Sequence, residues 1–261
     1  DAISDGTISG AITVAINQDE TKDSGYDALA SHSVVTTISD NDATPTVTLT
    51  SSDVSVAENL GAATLTATLS LGAGSATTVS LNISGNATLN TDYSVSSTSI
   101  IIPAGSTSGT ATTTAIADQI DEESETITVD VSGVSGGNGA SESGNQQVSI
   151  TITDDDTAAF TVTQSSGSTS VAESGSSDDF TVVLGSEPTG NVVFDLSASD
   201  STEATLSAST LTFTSSNWNS AQTVTVTGVN DNVSDDNVTG TITVAINQGS
   251  TNDAKYDALS S

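Results

Sequence analysis

The chain has 261 residues, room for two ordinary domains, with 33 acidic side chains against two basic ones and a formal charge of −31. That balance excludes nucleic acid, whose phosphates demand clustered Lys and Arg, and disfavours docking on an anionic membrane surface. No apolar run approaches the ~20 residues of a membrane-spanning helix, and no basic-then-apolar leader precedes Asp5, so an export signal is expected elsewhere.

Neighbouring carboxylates repel, and Lys22 and Lys255 are too few to offset 33 acids. Salt or bound divalent cations must take that role. Cysteine is absent, so an extracellular chain of this kind needs a staple other than a disulfide, and calcium is the evident substitute. With no Cys, no Met and a single His32, soft-metal and nucleophile chemistry have almost no residues to use.

Apolar and hydroxyl residues alternate at period two in segment after segment. In chain order these are Thr46–Thr50, Ala63–Leu69, Glu125–Val131, Val148–Thr153 and Thr223–Thr227. Each predicts a strand with one apolar and one hydroxyl face. Clusters of Gly, Asn, Asp and Ser separate them, and no long amphipathic helix is evident. The fold class expected is all-β, in tandem Ig-like antiparallel β-sandwich domains.

An internal repeat organises the chain. Ile8–Gln18 recurs as Val238–Gln248, an offset of 230, and the offset holds for Tyr26-Asp27-Ala28-Leu29 against Tyr256-Asp257-Ala258-Leu259. Asp1 then matches Asp231, and Asp5 matches Asp235. Self-similarity at a fixed spacing marks an array. The expected division is residues 1–42 as the last part of one domain, 43–156 as a complete domain, and 157–261 as a divergent domain lacking its last strand. A segment like His32–Asp42 is expected to follow Ser261.

Acids gather at strand ends: Glu58, Asp92, Asp118, Asp121, Glu122, Glu123, Glu125 and the triplet Asp154-Asp155-Asp156. Calcium takes six to eight hard oxygen ligands, which loops at one end of a sandwich can bring together. Over 43–156 the chain resembles the Calx-beta family. The resemblance is carried by Val54–Asn59, Thr91-Asp92-Tyr93, Ile100–Gly105, Ile116-Ala117-Asp118 leading to Glu122 and Glu125, and the ending Val148–Asp156. It implies calcium-binding β-sandwiches of the kind found in large bacterial surface proteins. It also implies calcium ligands at Glu58, Asp92, Asp118, Glu122, Glu125, Asp154, Asp155 and Asp156. Where the family often has two adjacent Asp, this chain has Ala117-Asp118, which leaves the number of ions open.

From Thr157 a divergent copy follows, with Val171-Ala172-Glu173, Thr202-Glu203-Ala204, Asn217-Trp218 and Gly228–Asp231. Its implied ligands are Glu173, Glu203, Asp231 and Asp235. The closing acids have their counterparts in the first fragment, Asp40 and Asp42. All these acids would also suit a merely solvated, salt-adapted surface, although they sit at the family's positions rather than evenly along the chain.

Other signals are weaker. Trp218 suits a core position better than a carbohydrate platform. Glu122 and Glu125 could mimic a glycosidase pair, but 3% aromatic content is poor material for a sugar cleft. Thr ladders are ordinary outward strand faces rather than an ice-binding surface. Gly136-Gly137-Asn138-Gly139 resembles a calcium nonapeptide repeat once only and reads as a loop.

The expectation is therefore not an enzyme. It is a secreted, calcium-stiffened spacer of a bacterial surface adhesin or extracellular filament, partnered by neighbouring repeats. A glycan- or cell-binding adhesive module is the alternative. Head-to-tail self-association is a further one, in which a strand of one copy completes another. Against it stands the simpler reading that the sequence is cut from a longer continuous chain.

Overall fold

A computed structural model describes residues 3–17, 19–20, 22–230 and 236–259. The chain divides into two compact units, one of Asp1–Ile116 with Glu125–Thr153, the other of Ala117–Ser124 with Asp154–Ser261. The all-β, sandwich architecture expected from the alternation is what forms, and the helices among the described residues are single turns, α1 at Ser24–Asp27, α2 at Ala254–Asp257 and a 3₁₀ turn at Ser165–Gly167.

In the first unit, β1 (Ile3–Ser4), β2 (Ile8–Val14) and β3 (His32–Ile38) come first. They are followed by β4 (Thr46–Ser51), β5 (Ser55–Ala57), β6 (Ala62–Leu69), β7 (Gly72–Ala73), β8 (Thr77–Gly85), β9 (Tyr93–Val95) and β10 (Ser99–Ile102). The last are β11 (Ser108–Ala115), β12 (Glu125–Gly136), β13 (Ser141–Glu142) and β14 (Gln147–Thr153). One five-stranded sheet runs β10-β8-β12-β14-β5 and the other β13-β4-β6-β11-β9. Inward positions alternate along each strand: Val47, Leu49, Leu65, Ile100, Ile102, Ile127, Val129 and Ile150 are buried in one core. The intervening Thr and Ser hydroxyls are mostly turned outward or half-buried, as a period-two pattern dictates. A bulge between Val131 and Gly133 lets β12 continue along β8. Gly85 (φ +129°) is required where it sits, because a Cβ there would lie 2.0 Å from the Thr126 carbonyl oxygen.

β2 and β3 form an antiparallel hairpin from Ile8 opposite Ile38 to Val14 opposite His32, and every residue of both strands is exposed.

The second unit contains β15 (Phe160–Gln164), β16 (Ser177–Leu184), β17 (Val192–Ala198), β18 (Ala204–Leu206), β19 (Thr210–Phe213), β20 (Gln222–Gly228) and β21 (Ile242–Ile246). Its sheets run β15-β16-β20-β18 and β19-β17-β21. Phe194 stacks edge-on against Phe160 and Phe213 at 4.9 and 5.9 Å, giving this core an aromatic centre. Trp218 is buried in the same cluster, the core position its size suggested.

Helix α2 closes this unit. Asp253 caps it by accepting the Lys255 and Tyr256 N–H groups, and its other oxygen accepts the Thr189 N–H at 2.7 Å. Tyr256, 1% exposed, donates its hydroxyl to the Ser186 carbonyl at 2.8 Å. The repeat-related Tyr26, beside the hairpin, is 60% exposed.

Candidate metal centre

Glu58, Asp92 and Glu125 belong to the first unit. Glu58 follows β5, is only 6% exposed, and donates its N–H to the Thr153 carbonyl at the end of β14. Asp92 is half-buried in the turn before β9. Its Oδ2 accepts the Thr88 N–H and its carbonyl accepts the Ile116 N–H at 2.9 Å. Burial and the Asp92 charge both raise the neighbouring Tyr93 phenol above its usual range. Glu125 opens β12 opposite Ile152.

In the same unit Asp40 gathers donors from several directions. It accepts the Asp42 N–H at 3.1 Å, the Gly6 N–H at 3.2 Å and the Ser4 hydroxyl at 3.3 Å. The Asp42 bond leads in holding its carboxyl below the ordinary value, against partial desolvation. Asp42 is half-buried beside it.

Within the second unit the segment Ala117–Ser124 is held by Glu187, whose N–H donates to the Gln119 carbonyl at 2.6 Å. Asp118 turns back to accept the Ile120 N–H at 2.8 Å. Around it stand Asp121 and the triplet Asp154-Asp155-Asp156. Asp156 is half-buried and its carboxyl is raised above the usual range, by desolvation first and then by the charges of Asp154, Asp155, Asp118 and Asp121. Asp118, Asp154, Asp155 and Asp156 thus share one electrostatic neighbourhood.

Asp121 was outside the ligand set implied by the resemblance, yet it has the most defined role here. It accepts the Ala158 N–H at 2.7 Å and pairs with Lys255 at 3.0 Å. Lys255 also reaches Glu123 at 2.8 Å and donates to the Glu122 carbonyl at 3.2 Å. Desolvation raises the Asp121 carboxyl, but the Ala158 N–H and the Lys255 ammonium together outweigh it and hold the group below the ordinary range. Glu123 first and Asp121 after it, against desolvation, push the Lys255 ammonium up. The sequence signal that could have found Asp121 is the scarcity of cations: one of the two lysines, Lys255, lies two residues after the Asp253 cap.

Glu173, exposed, and Glu203, half-buried, line one cleft of ≈ 860 Å³ in the second unit, together with Asp200 and Asp236. Asp231 and Asp235 lie outside the described residues. Among the described residues no three or more His, Asp or Glu side chains are gathered tightly enough to hold a metal ion as they stand. The donor chemistry nevertheless fits one class of cation. Carboxylate and carbonyl oxygens, without Cys and with an isolated His32, suit hard Ca²⁺ or Mg²⁺ rather than zinc or copper.

Tandem antiparallel sandwiches with acids at strand ends define an all-β module of the binding or structural kind. The chain matches the Calx-beta domain over residues 40–156 and again over 154–260, and it belongs to that family. No curated protein matches it. Among solved structures it is similar to the apo form of the Calx CBD1 domain, at 19% identity over 44% of this chain and 100% of that one, with a TM-score of 0.39. It is also similar to CBD12 from CALX1.2, at 17% identity over 77% and 79%, TM-score 0.38. The calcium binding domain CBD12 of CALX1.1 is similar at 19% identity over 73% and 76%, TM-score 0.37.

Proposed function

We propose that this chain is a calcium-stabilised structural segment, a spacer in a secreted bacterial surface adhesin or extracellular filament, and not an enzyme. The observation that carries the reading is the carboxylate neighbourhood of Asp156, with Asp118, Asp121, Asp154 and Asp155 around it in a chain of net charge −31. Like charges held this close destabilise the folded state until a cation neutralises them. Family membership supports calcium as that cation. The candidate oxygen donors are Glu58, Asp92 and Glu125 within the first unit and Asp118, Glu122, Asp154, Asp155 and Asp156 within the second, with Glu173 and Glu203 those of the second copy. Asp154–Asp156 close one matched segment and open the next, so calcium taken up there stiffens an array of such repeats. The neighbouring repeats are then the principal partners, on the cell surface or beyond it.

The glycan-binding alternative gains nothing from Trp218, which is committed to the core. Calcium titration followed by thermal melting tests the proposal. Binding to the folded state adds RT ln(1 + [L]/Kd), about 1.4 kcal/mol at tenfold Kd. A rise in melting temperature with calcium that magnesium does not reproduce is the expected result. Identical melting curves in calcium and in chelator would remove its basis.

A further inference from the structure

Lys255 meets three successive residues with one ammonium. Its Nζ lies 3.0 Å from Asp121 Oδ1, 2.8 Å from Glu123 Oε1 and 3.2 Å from the Glu122 carbonyl oxygen. An ammonium carries three N–H donors, and this set occupies all of them. Carboxylate and carbonyl oxygens are also what a hard metal ion takes, and here a side chain of the same unit takes them. Half of the basic side chains in a chain with 33 acids are thereby spent on this one segment.

The helix that carries Lys255 does not need it. α1 and α2 stand at matching places in the repeat and open on the same kind of cap. Asp23 accepts the Gly25 N–H at 2.8 Å, and Asp253 accepts the Lys255 N–H at 2.9 Å. Gly25 holds in the first copy the place of Lys255 in the second. The capped turn forms with either residue, so the lysine adds only what its side chain reaches. An ion pair as open as this one, with the Lys255 side chain 35% exposed, contributes little stability by itself. Its consequence lies with the charges nearby. Asp121 is one of the acids whose charge is felt at Asp156, beside Asp118, Asp154 and Asp155. Between Lys255 and the Ala158 N–H at 2.7 Å, Asp121 has both oxygens committed and its charge balanced. A divalent ion approaching Asp118 and Asp154–Asp156 therefore meets a field one charge less negative than the acids alone would set.

We propose that Lys255 is a built-in counter-cation that lowers the calcium affinity of the Asp118 and Asp154–Asp156 carboxylates. The inference rests on the calcium reading above and adds to it the residue that sets how much calcium these acids of the second unit require. With Gly25 at the matching place, the first copy of the motif has no such ammonium, so the device belongs to this copy of the repeat and not to both.

Calcium titration of the full chain, read on the carboxyl carbon resonances, tests this residue by residue. In Lys255→Met the signals of Asp118 and Asp154–Asp156 are expected to respond at ~10-fold less calcium than in the wild type, roughly the effect of one unit charge about 10 Å from a divalent ion at a dielectric between protein and water. In Asp121→Asn, which leaves the ammonium unbalanced, they should require ~10-fold more. D121N/K255M carries the wild-type charge at this pair, so its midpoint should return to within about twofold of the wild type. If Lys255→Met does not fold in chelator, Asp121→Asn against the double variant reads the same charge difference. One midpoint shared by all four proteins overturns the proposal and leaves the calcium reading standing. So does a double variant that stays with Lys255→Met, which would show that Lys255 acts through its contacts and not its charge. Signals that do not respond to calcium in any of the four, in chains that remain folded, end the calcium reading at these acids and this proposal with it.

Discussion

Lys255 sets its ammonium 3.0 Å from the carboxylate of Asp121, and Asp121 spends its other oxygen on the Ala158 N–H at 2.7 Å. A single cation thus ties the 117–124 segment to the capped helix α2 within the second unit. Its neighbours in sequence, Asp253 and Tyr256, fix the backbone from which it reaches.

This pair makes a prediction about acid. The Asp121 carboxyl is held below its ordinary 3.8, so the folded state binds fewer protons there than the unfolded chain. The stability it contributes is present above 3.8 and is lost as pH falls through the lowered folded value. Lys255→Met removes the ammonium and leaves the Ala158 bond, so the Asp121 titration should move up without vanishing. Carboxyl carbon NMR across the acid range reads this directly. An Asp121 titration that stays in place in the variant would assign the lowering to the backbone bond alone.

Asp156 behaves in the opposite sense. Its carboxyl is raised, by desolvation and by four neighbouring acids, so the folded state holds its proton more tightly than the unfolded chain. That contribution is favourable below 3.8 and fades as pH rises through the raised folded value, leaving net repulsion at neutral pH. Asp156→Asn should therefore stabilise the calcium-free protein at pH 7, by less than about 1 kcal/mol because the site is partly solvated. The gain should disappear near pH 3. Paired urea titrations at the two pH values measure it, and a destabilised variant at pH 7 would contradict the repulsion argument.

The repeated Tyr-Asp-Ala-Leu motif offers a comparison inside one chain. The Tyr256 hydroxyl donates to the Ser186 carbonyl at 2.8 Å and accepts the Ser186 N–H at 3.0 Å, while Ser186 itself is fully buried. Tyr256→Phe leaves those backbone groups without their partner and should cost about 1–3 kcal/mol. Tyr26→Phe, at an exposed position, should change stability by no more than a few tenths of a kcal/mol. Equal effects from the two substitutions in thermal melts would mean that the first copy of the motif is packed as well as the second.

Much of the fold is legible in the sequence because the strands advertise themselves. Thr46–Thr50, Ala63–Leu69, Glu125–Val131, Val148–Thr153 and Thr223–Thr227 alternate so regularly that each falls within a strand of the structure. The repeat of Ile8–Gln18 at Val238–Gln248 is equally plain, and it points to the hairpin and to β21. What period two does not encode is the neighbour. Val171-Ala172-Glu173 has the same pattern as Val56-Ala57-Glu58, yet of these residues only Val56 and Ala57 lie in a strand, β5, which pairs with β14. Asp121 was passed over for a related reason. Its role depends on Lys255, a contact set by tertiary packing that no local pattern in 117–124 announces.

Glu58 gives the sharpest test of calcium. It is 6% exposed, a charged side chain buried in a unit whose other buried polar residues, among those described, are Ser4, Thr77 and Thr113. Burying a carboxylate is costly unless a compensating charge or donor set is present. If calcium is that compensation, Glu58→Gln should be neutral or slightly stabilising in chelator, where an amide is easier to bury than an anion. In calcium the order should reverse, because the variant loses a charged ligand and with it most of the rise in melting temperature seen for the wild type. Melting both proteins in chelator and at about 1 mM calcium, within the range typical of extracellular modules, separates the two roles. A variant destabilised by the same amount in both buffers would make Glu58 a structural hydrogen-bonding residue and leave calcium no part in its burial.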